Sequence, residues 1–153
     1  MRNFLKLTMM LFLSAMVASC VQSIVPDKQS EYLDVTPNNI AGVWRMESFD
    51  NGIEMPEDAS YYIEFNRAER TFAEYDISNS MGWYKRTGRY DIFVDSYAVI
   101  TGKFDNGQGY WEHDFYVRDL TAERMVWIAT DDEEVVQVYV RAELPDWIVS
   151  ENK

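Results

Sequence analysis

Between residues 40 and 141 the chain is a succession of short runs in which apolar and polar residues alternate, each closed by a turn signal, with no amphipathic helix between them. A two-residue period marks strands whose two faces differ. The runs predict strands at residues 40–49, 61–65, 71–77, 83–93, 97–101, 110–117, 124–129 and 135–141. Asp50-Asn51-Gly52, Asn66-Arg67-Ala68-Glu69, Asp95-Ser96 and Asp105-Asn106-Gly107 supply reversals, Met55-Pro56-Glu57-Asp58 prolongs the first loop, and Asn79, Ser80 and Gly82 interrupt the pattern again. Gly, Asn and Asp tolerate the backbone conformations that tight turns impose. A parallel sheet would need a helical crossover for every pair of strands, so α/β architectures are excluded. About eight strands joined mostly by hairpin-length loops predict an all-β, eight-stranded antiparallel up-and-down barrel. In such a ring the strand that opens it, Ile40-Ala41-Gly42-Val43-Trp44 and onward, pairs both with its sequence neighbour and with the last strand. Gly88, in the middle of the fourth run, is expected to bend or bulge it at a corner. Gly102 and residues 107–109 are expected in turns.

The first twenty residues stand outside this pattern. Arg2 and Lys6 form a basic head, Leu11-Phe12-Leu13 lies in a short apolar middle, and Val17-Ala18-Ser19-Cys20 closes the segment, which is the order of an export signal. The apolar part is shorter than the roughly 20 residues of a spanning helix. Val17-Ala18-Ser19-Cys20 resembles the lipobox of bacterial lipoproteins, which implies cleavage after Ser19 and acylation of Cys20. Cys20 is the chain's single cysteine and can form no internal disulfide, so a lipid-bearing thiol accounts for it. The expected organisation is a signal peptide at residues 1–19, a lipidated cysteine and Pro-containing tether at 20–39, a barrel at 40–143 and a tail at 144–153. Trp147 in that tail is expected to sit on one helical turn that caps an open end of the barrel. Val21 offers no inner-membrane retention aspartate, so the expected location is the outer membrane of the cell envelope, on either face. Without Arg2 and Lys6 the mature chain carries 12 bases against 26 acids, a net charge of −14 that repels phosphate backbones and argues against nucleic acid as a partner. Aromatics at 15% and hydrophobics at 47% are enough to fill a core and argue against disorder.

Gly42-x-Trp44 in the first strand, Ile63-x-Phe65 closing the second, Gly88-x-Tyr90-x-Ile92 in the middle and Arg141 at the end of the last strand together resemble the lipocalin-like (calycin) domains of exported lipoproteins from gut-type Gram-negative bacteria. The resemblance covers residues 40–141 and rests on order and spacing. It implies that Trp44 packs at the closed end of the barrel beneath the guanidinium of Arg141, a cation over an indole face. The chain departs from ligand-carrying lipocalins in its shorter barrel and in lacking a long helix after the last strand, and both departures bear against a deep lipid cavity.

Alternation allows the inward face to be assigned strand by strand. Trp111, His113, Phe115 and Val117 fall on one side of the sixth run, which points the lone histidine inwards, as a ligand-orienting group or as a core or rim histidine satisfied by a tyrosine. One histidine without histidine or cysteine partners is a poor metal site, and no metal or cofactor is expected. Catalysis is not expected either: no nucleophile and base are spaced as a pair, and the acidic residues 131–134 read as a solvated hairpin corner. Tyr61, Phe65, Tyr75, Tyr84, Tyr90, Trp111, His113, Phe115 and Trp127 are the expected interior residues, able either to line a cup or to fill the barrel solid. Tyr62, Tyr116 and Tyr139 are assigned outwards. Two functions of different class follow. A membrane-tethered barrel holding a small hydrophobic or amphipathic ligand requires a continuous, mostly apolar cavity of at least about 300 Å³ that reaches solvent. A structural or protein-interaction lipoprotein of the envelope requires a filled barrel and an exposed apolar patch.

Overall fold

The computed structural model describes residues 31–50, 52–56, 59–78 and 82–151. The expected signal peptide, Cys20 and most of the tether lie outside the described residues. The chain forms α1 (Pro37–Ile40), then β1 (Gly42–Phe49), β2 (Ile53–Glu54), β3 (Ala59–Asn66), β4 (Thr71–Ser78), β5 (Gly82–Val94), β6 (Ala98–Phe104), β7 (Phe115–Arg118), β8 (Arg124–Ala129), β9 (Val136–Arg141) and α2 (Asp146–Glu151). All pairings are antiparallel, and consecutive strands from β3 to β9 lie side by side. β1 joins β3 on one side and β9 on the other, so eight strands close into a ring and the two-residue β2 is an appendage on β1. The predicted eight-stranded antiparallel barrel is the observed one. Among the described residues no helix is long and apolar enough to cross a membrane.

The local chemistry of the turns follows the sequence. Asn66 Oδ1 accepts from the backbone N–H groups of Ala68 and Glu69, and Arg70 completes the β3–β4 reversal at φ +56°. Asn106 and Gly107 both take positive φ, as a tight reversal requires. Gly88 serves the corner differently from expectation. The register of β5 runs unbroken against both β4 and β6, so there is no bulge; instead a Cβ there would fall 2.3 Å from the Lys103 carbonyl oxygen and 2.6 Å from the Phe72 ring. The irregularity lies in β1, where the register against β9 shifts between Met46 and Ser48, at the seam of the ring. Gly102, expected in a turn, is inside β6, where a Cβ would lie 2.2 Å from the Trp111 indole. The sixth run keeps strand geometry only from Phe115, because Trp111 crosses over Gly102 rather than continuing a ladder.

The interior is a single cluster that includes Ile40, Trp44, Ile63, Phe65, Tyr90, Ile100, Leu120, Met125, Trp127 and Tyr139. Leu33 and Val35 pack against it, and Leu33 donates its N–H to the Leu120 carbonyl at 2.7 Å, so residues 33–40 lie along the barrel rather than forming the end of a free tether. A second, smaller cluster is on the outside: Tyr62 and Tyr75, cross-strand partners on β3 and β4, are covered by Ile148 of α2. The tail therefore clasps the barrel wall, with Trp147 6.2 Å from Trp83, and does not cap an open end.

Candidate functional site

The two ends of the barrel are built differently. At the closed end Trp44 is completely buried and faces Arg141 directly across the β1–β9 seam. The guanidinium carbon stands 3.6 Å above the indole, as the resemblance implied. Arg141 also donates to the carbonyls of Ala41 (2.6 Å), Asn39 (3.2 Å) and Ala122 (3.2 Å), and Trp44 Nε1 donates to the Ile40 carbonyl at 2.8 Å. Burial lowers the arginine's pKa. Gly42 takes φ +101°, and a Cβ there would lie 3.1 Å from Arg141 Nη1. Every polar group of this seal has a partner inside the protein, which makes it a structural plug.

The other end holds a cavity of about 480 Å³ that opens to solvent. Its aromatic wall is Tyr61, Phe104, Trp111, Phe115, Trp127 and Tyr139. Trp127 is the floor: its ring lies 4.9 Å from Tyr139, 5.2 Å from Phe115 and 5.3 Å from Trp111, and 6.1 Å from Phe65 below. Within this wall sits an ion pair. Glu74 and Arg86 are direct cross-strand partners on β4 and β5, and Arg86 Nη2 lies 2.9 Å from Glu74 Oε2. Glu74 is 4% exposed and Arg86 37% exposed, so the carboxylate is the buried member. The contact is close but is not a well-directed hydrogen bond. Burial raises the pKa of Glu74, opposed chiefly by the charge of Arg86 and by the Tyr61 hydroxyl. Burial also pushes Tyr61 and Tyr139 well above the ordinary tyrosine value, with Glu74 adding to both. The Arg86 guanidinium stacks 4.7 Å from the Phe104 ring. Tyr139 donates to Gln137 Oε1 at 2.9 Å. The buried nitrogens Trp127 Nε1 and Arg86 Nε have no hydrogen-bond partner in the protein, and Trp111 Nε1 leans towards Glu74 without a well-formed bond.

Of the nine residues expected inside, the structure brings Tyr61, Trp111, His113, Phe115 and Trp127 together on the cup. Phe65 and Tyr90 are buried in the filled half below it, ring centroids 5.0 Å apart. Tyr84 is mostly exposed and donates to Asp76 at 2.8 Å. Tyr75 is on the outer face under α2, its hydroxyl bonded to Glu64 at 3.2 Å and its pKa pushed up to about 12 by burial and by that carboxylate. Tyr139, assigned outwards, is in the core because it shares the β9 face of Arg141. Tyr62 is outward as expected but covered by the tail. His113 is at the rim, where Nδ1 lies 2.7 Å from Asp131 Oδ1, and its partner is thus an aspartate of the acidic corner rather than a tyrosine. That bond holds Asp131 below the usual carboxylate pKa. Among the described residues no three His, Cys, Asp or Glu side chains are grouped to hold a metal ion.

A closed antiparallel barrel with one end plugged by an arginine over a tryptophan and the other open as a cup defines a calycin-type barrel. The sequence profile of the lipocalin-like domain matches residues 40–127, more than half of the chain, and the protein belongs to the lipocalin-like domain family. The crystal structure of a lipocalin-like protein from Bacteroides uniformis ATCC 8492, at 1.79 Å resolution, superposes with a TM-score of 0.52 at 15% identity, covering 68% of this chain and 99% of that one. At that identity the likeness speaks for the fold. No curated protein matches the chain.

Proposed function

We propose that this protein is a membrane-anchored lipocalin-like lipoprotein that binds a small amphipathic ligand in the open half of its barrel. The observation that carries the reading is the solvent-open cavity of about 480 Å³ with an aromatic wall and a buried ion pair. Its size falls within the roughly 300–1,000 Å³ of small-molecule sites. The wall is more polar than the mostly apolar cup expected from the sequence, which favours a ligand with polar atoms over a bare hydrocarbon. Binding, not catalysis, is the proposed role. Cys20, acylated, supplies the anchor, and the outer membrane is the proposed location. Two acyl chains at about 0.8 kcal/mol per buried CH₂ hold a protein stably at a bilayer.

Native mass spectrometry of a soluble form beginning at Glu31, purified without detergent, tests the ligand reading. Such a form retains both hydrophobic clusters and the whole ring. A co-purifying small molecule lost on Trp127→Ala supports the cup; a bare mass that takes up no added amphiphile contradicts it. Radiolabelled palmitate incorporated by the full chain but not by Cys20→Ala tests the anchor. A second reading, a protein-interaction lipoprotein of the envelope, is favoured by one feature: Phe93, Val94 and Tyr97 are 59%, 74% and 52% exposed around the β5–β6 reversal. Loss of a cross-linked envelope protein on Phe93→Ser/Val94→Ser, with the cup untouched, would support it.

A further inference from the structure

The plug end carries an apolar surface that the cup does not explain. Phe93, Val94 and Tyr97 project from the β5–β6 reversal, each of them more than half exposed. Strand register fixes where that reversal lies. β5 runs on past Arg89, its last partner on β4, and Tyr90 donates its N–H to the Arg70 carbonyl of the β3–β4 turn. That turn stands beside the start of β1, where Phe65 faces Gly42. On the other flank, the Arg118 guanidinium at the end of β7 stacks 3.5 Å from the Tyr97 ring. The β7–β8 turn that follows gives the carbonyls of Ala122 and Glu123 to Arg141 of the plug. The apolar tip is therefore on the side opposite the mouth of the cup.

The chain enters the barrel at this same end. Leu33 is bonded to Leu120 in the β7–β8 turn, and the exposed Tyr32 precedes it. Residues 20–30, the stretch between the proposed anchor and the described chain, reach no further than about 40 Å even at roughly 3.6 Å per residue. A bilayer holding Cys20 is thus a near neighbour of the tip, and the tether keeps the two at high effective concentration. Under that condition a patch of a few side chains, too small to hold a free protein, is enough to orient a tethered one. Its chemistry fits a lipid headgroup layer: an apolar point made by Phe93 and Val94, with a phenol and a guanidinium behind it as an amphipathic collar. Asp91, Asp95 and Asp119 outnumber Arg89 and Arg118 around the tip, so apolar insertion and not attraction to anionic lipid carries the contact.

Resting on the lipid-anchor reading above, we propose that Phe93, Val94 and Tyr97 seat in the headgroup layer of the membrane that holds Cys20, and so set the barrel plug-down with its cup facing away from the bilayer. A ligand then reaches the cup from the aqueous side and not out of the lipid.

The chain from Val21 onwards contains no cysteine, so one introduced thiol reports one position. Held by an N-terminal hexahistidine tag on phosphatidylcholine vesicles doped with nickel-chelating lipid, it is labelled with bimane at Val94→Cys or, in the β6–β7 loop on the cup side, at Tyr110→Cys. Brominated phosphatidylcholine should quench the label at 94 roughly threefold or more as strongly as at 110, as for a side chain seated at the headgroup boundary. Iodide in the water should show the opposite preference. Adding Phe93→Ser and Tyr97→Ser, both at exposed positions and checked for folding by circular dichroism, should bring the two lipid quenching values within about twofold of one another. Equal lipid quenching at the two sites without those changes, or stronger quenching at 110, overturns the proposal. Shielding of position 94 that appears only when envelope proteins are added also overturns it, in favour of a protein partner. The tag replaces the lipid, so the two readings fail separately. If Cys20 takes up no palmitate and the label at 94 still seats in lipid, the anchor falls and the tip stands; if Cys20 is acylated and the label stays in water, the tip falls and the anchor stands.

Discussion

The closed and open ends of this barrel are made by the same eight strands with the same two-residue alternation, yet one is a plug and the other a cup. At the plug, each polar atom that alternation turns inwards finds a partner supplied by the chain: Arg141 reaches the carbonyls of Asn39, Ala41 and Ala122, and Trp44 reaches that of Ile40. At the cup, the inward polar residues Glu74 and Arg86 meet mainly each other, and the Trp127 N–H meets nothing in the protein. The difference lies less in hydrophobicity than in completeness. A satisfied buried network stabilises one geometry, whereas an unsatisfied one waits for a partner.

This contrast yields graded predictions. The largest effect is expected at the plug: Trp44→Ala should cost about 3–5 kcal/mol in urea unfolding, as for other fully buried large aromatics. Trp111→Ala at the cup, where the ring is only half-buried, should cost well under half as much, and equal costs would break the comparison. Next, Arg141→Met keeps the stem but strands three carbonyls and removes the cation above Trp44, for an expected loss of about 2–3 kcal/mol. Gly42→Ala forces a side chain into φ +101° beside Arg141 and should cost about 1–3 kcal/mol, read by the same unfolding curves.

The smallest effect sharpens the cup. Glu74 has a folded pKa above its unfolded one, so the folded chain holds this proton more readily than the unfolded chain does. Its contribution to stability is therefore greatest below the ordinary glutamate pKa and declines as pH rises through the higher folded value. Unfolding free energies of Glu74→Gln and the unaltered protein, measured across the acidic range, should differ in slope in that sense. A stability advantage of the unaltered protein over Glu74→Gln that instead grows as pH rises would show that Arg86 outweighs burial.

Much of the ring was legible because hairpins with Asn-Gly or Asx-rich turns fix neighbours, and eight such runs in order leave few ways to close. The interior face was legible only in part. Placing Tyr84 and Tyr90 inwards on β5 also places Arg86, two residues from one and four from the other, inwards. Placing Arg141 at the seam likewise carries Tyr139 and Gln137 to the inner face of β9. Parity thus contained both residues that an expectation of an aromatic interior passed over. β4 was ambiguous for a different reason: both of its faces are covered, Phe72 by the core and Tyr75 by α2, so apolarity did not mark the inner one. The signal for Glu74 was its place opposite Arg86, which follows from the hairpin register once that is known. Trp111 crossing Gly102 had no signal in periodicity at all, since it depends on a missing side chain two strands' length of chain away.

The seam has a temporal consequence. β1 is made early, yet one of its flanks is covered only by β9, about a hundred residues later in synthesis. Until residues 136–141 arrive, that flank is a bare row of amides and carbonyls able to recruit a strand from a neighbouring chain. A nascent or C-terminally clipped molecule is therefore the aggregation-prone form, and any chaperone that escorts this protein has the unpaired margin of β1 to shield.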